Sequence, residues 1–464
     1  MTAVSPREGS VARGSDGRAP GRADVVVIGA GHNGLVAAAY LARAGHRVVV
    51  VERSPAIGGM TTSGPLVPEA PNHVIHPSAV DVIMMRTTTV VHDLELSRYG
   101  LRFAEPDPPY AYLGPDGETL PFWRDSARTA QEIRRYSIRD SNAYRRLAEV
   151  LEGFTDVALP MMQTNPLRPA PRELSRSLRA AFRQRGVLGE LGGLATSTAE
   201  QTIAEWFEHQ AVRAALMLLT AGAAPTDAEG SGLSFMLLAL LHSVGVGRPI
   251  GGMQKLADAL QASAAASGAT VLADSGVEQI LVRDGRTAGV RLRDGREIAA
   301  PVVLATCDPY TALRNLVPED ELDRRMLARI DAIPSNAGGA AVLKVDLALS
   351  GLVSVPHHSH SDIDLRRPVL LYGTSQDVAA GFVAARRGQL PDPIPLWTCV
   401  TTAADPTQAP LGQEVLYLYP PTMPLDPIGG WPALRDEAVA RTLARAEEFY
   451  GALGELELGR WVET

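Results

Sequence analysis

Apolar side chains follow two textures along this chain, short continuous runs and longer helical periodicities. Asp24 to Ile28, apolar and β-branched from Val25 on, reads as a buried strand, followed by Gly29-Ala30-Gly31-His32-Asn33-Gly34 and an alanine-rich stretch of helical spacing through Arg43. Gly45 ends that stretch, and Arg47 to Val51 is a second continuous run. Unbroken apolar runs mark strands buried on both faces, so the opening predicts a parallel strand–helix–strand unit. From about Val90 to Ser243 helical periodicity takes over. Between Ile203 and Ala214 apolar residues recur at 203, 206, 207, 211 and 214, which predicts one helix with Trp206 and Phe207 on its buried face. Phe235 to Leu241 reads as a further apolar helix, either core or the lining of an apolar substrate tunnel.

The first texture returns after Gly251-Gly252-Met253, with a helix over Lys255 to Ala266 and strands over Thr270 to Leu272 and Val277 to Val282. Asp284-Gly285 and Asp294-Gly295 have the chemistry of tight hairpins, so Ile280 to Ile298 predicts an antiparallel meander, and Val302 to Thr306 the next buried strand. Beyond Ser335, the segments Ala340 to Leu349, Pro368 to Tyr372, Ile394 to Thr401 and Glu414 to Tyr419 predict a second sheet, and Glu437 to Tyr450 a terminal amphipathic helix. The expected fold class is α/β: a Rossmann-like domain of parallel sheet plus β-meander, built from 24–90 and 248–330, with an inserted α+β substrate domain built from 91–247 and 331–464. Residues 1–22, rich in Gly, Ser, Ala and Arg, are expected to form a disordered tail.

Composition narrows the function. A chain of 464 residues exceeds one ordinary core. Its 44 basic and 52 acidic side chains leave a net charge of -8, which repels phosphate backbones and argues against a nucleic-acid partner. Cys307 and Cys399 are too far apart for a CxxC redox pair or a zinc knuckle, and with no apolar leader segment a cytoplasmic location is expected. No apolar stretch approaches the roughly 20 residues of a bilayer span, which leaves at most a peripheral membrane contact. His357, His358, His360 and Asp362 are spaced closely enough for a metal, but a solvated loop explains them, and no metal is expected.

The chemistry concentrates in the GxGxxG at Gly29, Gly31 and Gly34, which sits between a strand and a helix as a dinucleotide-binding turn requires. The first glycine permits the turn, the second lets backbone approach a pyrophosphate, and the third lets helix and strand pack closely, with the phosphates at the helix N-terminus. Glu52 ends the second strand where a carboxylate reaches ribose hydroxyls and disfavours a 2′-phosphate. The continuation Glu52-Arg53-Ser54-Pro55-Ala56-Ile57-Gly58-Gly59 separates a flavin site from a simple nicotinamide one, because its second glycine pair places small residues beside the adenosine pyrophosphate.

Together these residues resemble the phytoene-desaturase-like branch of the FAD-linked amine oxidase superfamily, and most of all bacterial proteins called pyridine nucleotide-disulfide oxidoreductase domain proteins. The likeness is carried by Val26 to Ala38, by Glu52 to Gly59, by Arg248-Pro249-Ile250-Gly251-Gly252-Met253 with Leu256 and Leu260, by Val277-Glu278-Gln279-Ile280, and by Asp405-Pro406 with Ala409-Pro410-Leu411-Gly412. The resemblance implies that Gly29, Ala30, Gly31, Asn33 and Gly34 face the FAD pyrophosphate, and that Glu52, with Arg53 beside it, faces the adenosine ribose. It implies further that Gly58, Gly59 and Met60 follow the cofactor toward the flavin ring. Val277 offers its backbone to the adenine, or else only packs in the core. His76-Pro77-Ser78-Ala79 falls where relatives pass near the isoalloxazine. The implied activity is that of an FAD-dependent oxidoreductase of the desaturase, dehydrogenase or oxidase type, taking a hydride from a small apolar organic substrate to flavin N5 and returning electrons to oxygen or a quinone. Lys344 and His76 are candidate bases by position alone, and no catalytic residue or oligomeric state is assigned. Relatives carry a glycine-rich segment that closes over the flavin, and none follows Gly429-Gly430 here, so the alternative is a truncated or non-catalytic flavin-binding protein serving as an interaction module.

Overall fold

A computed structural model describes residues 21–165, 167–333, 339–451 and 453–464. The expected N-terminal tail therefore lies outside the described residues, apart from Gly21 and Arg22, where Arg22 bridges to Ala299. The chain forms two compact units.

The first unit comprises the described residues up to Thr61, with Leu94–Tyr99 and Leu256–Ile333. It contains β1 (Val25–Ile28), α1 (His32–Arg43), β2 (Val48–Val51), most of α2 (Gln254–Ala266), β3 (Thr270–Leu272), β4 (Val277–Arg283), β5 (Arg286–Leu292), β6 (Glu297–Ala299) and β7 (Val302–Ala305). A parallel sheet runs in the order β7-β1-β2-β3, with Val25 opposite both Val302 and Val48. Every residue of β1 and β2 is buried, the state that continuous valine runs specify. β4, β5 and β6 form the expected antiparallel meander, turned by Asp284 at φ 52° and Gly285 at φ 69°, a left-handed pair suited to a two-residue hairpin. Val26, Ile28, Val49 and Val51 of the sheet share a core with Val277, Ile280, Val290 and Ile298 of the meander.

The second unit comprises Thr62–Asp93, Gly100–Lys255 and the described residues from Gly339 onward. Its seven-stranded sheet runs Glu457–Glu463, Lys344–Leu349, Glu414–Tyr419, Leu396–Val400, Val369–Tyr372, Tyr110–Leu113, Thr119–Phe122. All pairings are antiparallel except Val369–Tyr372 with Tyr110–Leu113. Side chains alternate between two cores. Tyr110, Tyr112, Leu371, Cys399 and Tyr417 enter one with helices Gln210–Ala221 and Ser375–Arg386, and Ala111, Leu113, Leu370, Val400 and Leu416 enter the other with helix Trp431–Tyr450.

Three expectations change. The single helix over 203–214 is two, Ala199–Trp206 and Gln210–Ala221, because Phe207 is extended at φ -119° and ψ 146°. The buried Asp140 carboxylate accepts from the Glu208 and His209 amides, both at 2.9 Å, and His209 then caps the second helix through Ala211 N. These side-chain acceptors outbid the helix for the same donors, which apolar spacing does not register. Ala340 to Leu349 is not one strand, since Ala340–Ala341 pairs with Met423–Pro424 and only Lys344–Leu349 joins the large sheet. The expected division at 90/91 is observed at Thr61, with residues 62–93 packed in the second unit.

Candidate functional site

In the first unit the chain leaves β1 through Gly29 at φ 100° and enters α1 with Gly31 as N-cap. No side chain caps α1 and its first turn holds no acidic residue. The first amides of a helix lack intrahelical acceptors and carry the positive end of its dipole, so this end is suited to an anion. Gly34 is fixed by packing, because a Cβ there would lie 2.0 Å from the Gly29 carbonyl oxygen. Gly31 differs, because a Cβ there would meet nothing closer than the Gly58 oxygen and the Gly59 Cα, both at 3.9 Å, so packing alone does not demand a glycine. The turn is held on its other side by Gly58, whose N–H donates to the Ala30 carbonyl at 2.9 Å and which bridges to Gly31.

Glu52 directly follows β2. Its Oε2 accepts from the Ala30 N–H at 2.8 Å and its Oε1 from the Ser54 N–H at 2.9 Å. The carboxylate thus ties the glycine turn to the end of the neighbouring strand. A carboxylate has about four acceptor positions, so capacity for two sugar hydroxyls remains. Glu52→Ala is expected to weaken FAD binding by roughly 1–3 kcal/mol through lost charge-assisted hydrogen bonds. It should also lower the melting temperature of the cofactor-free protein, because two amides lose their acceptor. An FAD titration with unchanged affinity would remove Glu52 from the site.

The strand pairing continues past Glu52, with Ser275 N donating to the Glu52 carbonyl at 2.7 Å and Asp274 N to the Ser54 carbonyl at 3.2 Å. This brings the start of β4 beside Glu52. Val277 places its side chain in the core and pairs with Leu292 across the meander. Arg53 is exposed, lining a shallow depression with Ser275, Gly276 and Arg293, and Met60 is 66% exposed. Gly29, Ala30, Gly31, Gly34, Glu52, Gly58 and Gly59 therefore form one cluster, and they fit a dinucleotide diphosphate, while Asn33 is exposed in the first turn of α1. Thr306, expected only as the end of a strand, also holds the turn: its hydroxyl donates to the Ile28 carbonyl at 2.9 Å and lies 3.2 Å from the Gly29 carbonyl. Its only signal was its position at the end of an apolar run.

The second unit holds a buried polar cluster that includes both candidate bases. Lys344 Nζ lies 2.9 and 2.7 Å from the Asp346 carboxylate oxygens and 4.0 Å from the Tyr417 ring centre. Burial pushes the lysine below its ordinary range and the aspartic acid up to about 6, while their attraction opposes both shifts. Arg248 Nε donates to Asp81 at 2.7 Å and its Nη1 to the Arg367 carbonyl at 2.8 Å. Asp405 accepts from Gly251 N and from Gln408 Nε2, which turns the Gln408 oxygen toward His76 Nε2 at 2.8 Å. An accepting amide oxygen requires the Nε2–H tautomer of His76.

Burial, with Lys344 and Arg248 nearby, lowers the His76 pKa to about 4, against the favourable contacts of Gln408 and Asp405. The unfolded histidine gains its proton near 6.5 and the folded one only near 4, so its contribution to stability is complete above 6.5 and lost on acidification through that window. Its share of the acid loss is roughly 3 kcal/mol, and denaturant melts of His76→Gln should show a correspondingly flatter pH dependence. Equal slopes for the parent and the variant would show that another group controls the transition. The candidate metal ligands of the 357–362 loop do not converge: His357 is exposed, His358 meets the Gly114 carbonyl at 2.8 Å, His360 meets Glu132 at 3.4 Å, and Asp362 pairs with Arg128. Among the described residues no group of His, Cys, Asp or Glu is arranged to hold a metal.

The family described as flavin containing amine oxidoreductase matches residues 34–370. The chain is 28% identical over 459 residues to pyridine nucleotide-disulfide oxidoreductase domain-containing protein 2 of Mus musculus, covering 90% of this chain and 76% of that protein. It is 25% identical over 447 residues to a neurosporene-forming phytoene desaturase of Rhodobacter capsulatus, covering 92% and 78%. An oxidoreductase from Methanosarcina mazei has a similar structure, with a TM-score of 0.61 over 95% or less of either chain (94% of this one and 87% of that one), and at 18% identity it shows the shared fold. The family match extends over more than half of the sequence, and this protein accordingly belongs to the flavin containing amine oxidoreductase family, with FAD as its cofactor.

Proposed function

We propose that this protein oxidises a small apolar organic molecule, with Gly29–Gly34 receiving the FAD diphosphate, Glu52 the ribose and the Val277 backbone the adenine. The observation that carries the reading is the uncapped N-terminus of α1 set beside a strand-terminal carboxylate, a pairing that serves a phosphate and a sugar together. When bound, FAD would supply a two-electron acceptor, able to take a hydride at N5 and to be reoxidised by oxygen or a quinone. The substrate, having also lost a proton, leaves as an alkene, imine or carbonyl.

An apolar substrate is supported within the second unit by a cavity of about 370 Å³ lined by Ile83, Met84, Leu233, Met236, Leu237 and Leu240. Glu229, Ser231 and Ser234 also line it, but its exposed wall is mostly aliphatic, so dispersion contacts dominate and an apolar substrate suits it. The phytoene desaturase relative is by its name a protein that acts on such a compound. The purified chain, reconstituted with FAD, should be yellow and should bleach anaerobically with an apolar donor. A polypeptide that retains no FAD would overturn the site assignment. One that retains FAD but bleaches only with amines would overturn the substrate class.

A further inference from the structure

Helix Pro171–Arg183 of the second unit, PRELSRSLRAAFR, inverts the usual arrangement of a surface helix. At 100° per residue, Glu173, Ser177 and Ala180 share the face that packs on helix Ile138–Met162, and Ser177 and Ala180 are buried. Small residues are thus hidden. Leu174, Leu178 and Phe182, spaced by four, form a second stripe that is 40%, 63% and 73% exposed. Arg172, Arg176, Arg179 and Arg183 form a third, and just before the helix Leu167 is 90% exposed beside Arg168. A soluble helix ordinarily buries its large apolar stripe, so this one is built to meet something else.

Charge indicates what that is. The chain as a whole carries -8, yet residues 168–185 hold six arginines, at 168, 172, 176, 179, 183 and 185, against the single acid Glu173. The carboxylate contacts of Arg176 and Arg183 are long, 3.8 and 3.9 Å, and exposed, so they neutralise little of this charge. Arg185 lies with its guanidinium 5.1 Å from the Phe182 ring centre, joining the cationic and apolar stripes. A nucleic acid would use the arginines and leave the leucines in water. A second copy of the chain would bring the same six cations together. An anionic bilayer satisfies both stripes, with aliphatic and aromatic groups at the acyl boundary and guanidinium groups among the phosphates.

We propose that Pro171–Arg183 lies in the plane of an anionic membrane surface and holds the protein there, with Leu174, Leu178 and Phe182 inserted and the arginines on lipid phosphates. Among the described residues no helix is long and apolar enough to cross a membrane, so the contact is peripheral. The inference stands apart from the oxidoreductase reading, since it needs neither FAD nor a substrate.

The test is co-sedimentation of the full chain with vesicles of phosphatidylcholine alone, and of phosphatidylcholine mixed equally with phosphatidylglycerol. Binding to the mixed vesicles alone, weakening with salt, is expected. Leu178→Ser with Phe182→Ser should reduce partitioning at least about tenfold, as should the triple Arg172→Gln, Arg176→Gln, Arg179→Gln, with thermal melts unchanged because all five side chains are exposed. No sedimentation with the anionic vesicles would overturn the proposal, as would equal partitioning of the parent and the apolar variant. A dimer in light scattering that dissociates in the apolar variant would assign the stripe to a second copy and overturn it as well.

Discussion

Gly34→Val should abolish FAD retention and cost the first unit more than about 3 kcal/mol, the upper range for a side chain forced into a filled site. The added Cβ alone would stand 2.0 Å from the Gly29 oxygen, 3.1 Å from the Gly29 carbonyl carbon and 2.9 Å from the Thr306 hydroxyl. Two of those three are backbone atoms of the turn itself, so relief requires α1 to withdraw from the strand it follows. That movement displaces the amides that receive the diphosphate. Gly31→Ala supplies the control, because its Cβ meets no protein atom closer than 3.9 Å. It should leave the melting temperature unchanged and weaken FAD binding. Thermal melts and FAD titrations of the two variants separate packing from binding, and a Gly34→Val protein that melts normally and stays yellow would show that the turn has been misread.

Asp346→Ala should cost about 3–5 kcal/mol in the second unit, the penalty for leaving one member of a buried ion pair unmatched. Asp346 is wholly buried and Lys344 is 3% exposed, so water cannot take the place of the lost carboxylate. The Tyr417 face beneath the ammonium, 4.0 Å away, offsets only a small part. Replacing both residues, as Lys344→Met with Asp346→Leu, should recover most of the loss, since no charge then remains to be desolvated. Denaturant unfolding of the single and double variants measures the difference. A single variant as stable as the parent would place the pair in water.

What the sequence showed clearly were the features that rest on local chemistry. The valine runs of β1 and β2, the glycine spacing from Gly29 to Gly34 and the Asp-Gly hairpins each carry their structural instruction within a few residues, and all appear where expected. Features that depend on partners distant in sequence were not readable. The break at Phe207 is imposed by Asp140, bonded to an amide 68 positions later, and the strand Tyr110–Leu113 joins the large sheet through Val369–Tyr372, more than 250 positions away. The same reason divides the site. Glu52 was identifiable by its distance from the glycines, whereas its bonds to Ala30 and Ser54, and the hydroxyl of Thr306 on the turn, exist only once the strands are assembled.

The register that sets Val25 against Val302 spans 277 positions. On the ribosome the glycine turn is therefore made well before the strand that flanks it. Until residue 305 has been synthesised, β1 presents an unpaired apolar edge, and the loop to be closed is costly in entropy. Over that interval the open edge can pair with the wrong strand, and a chaperone or early cofactor capture would act there.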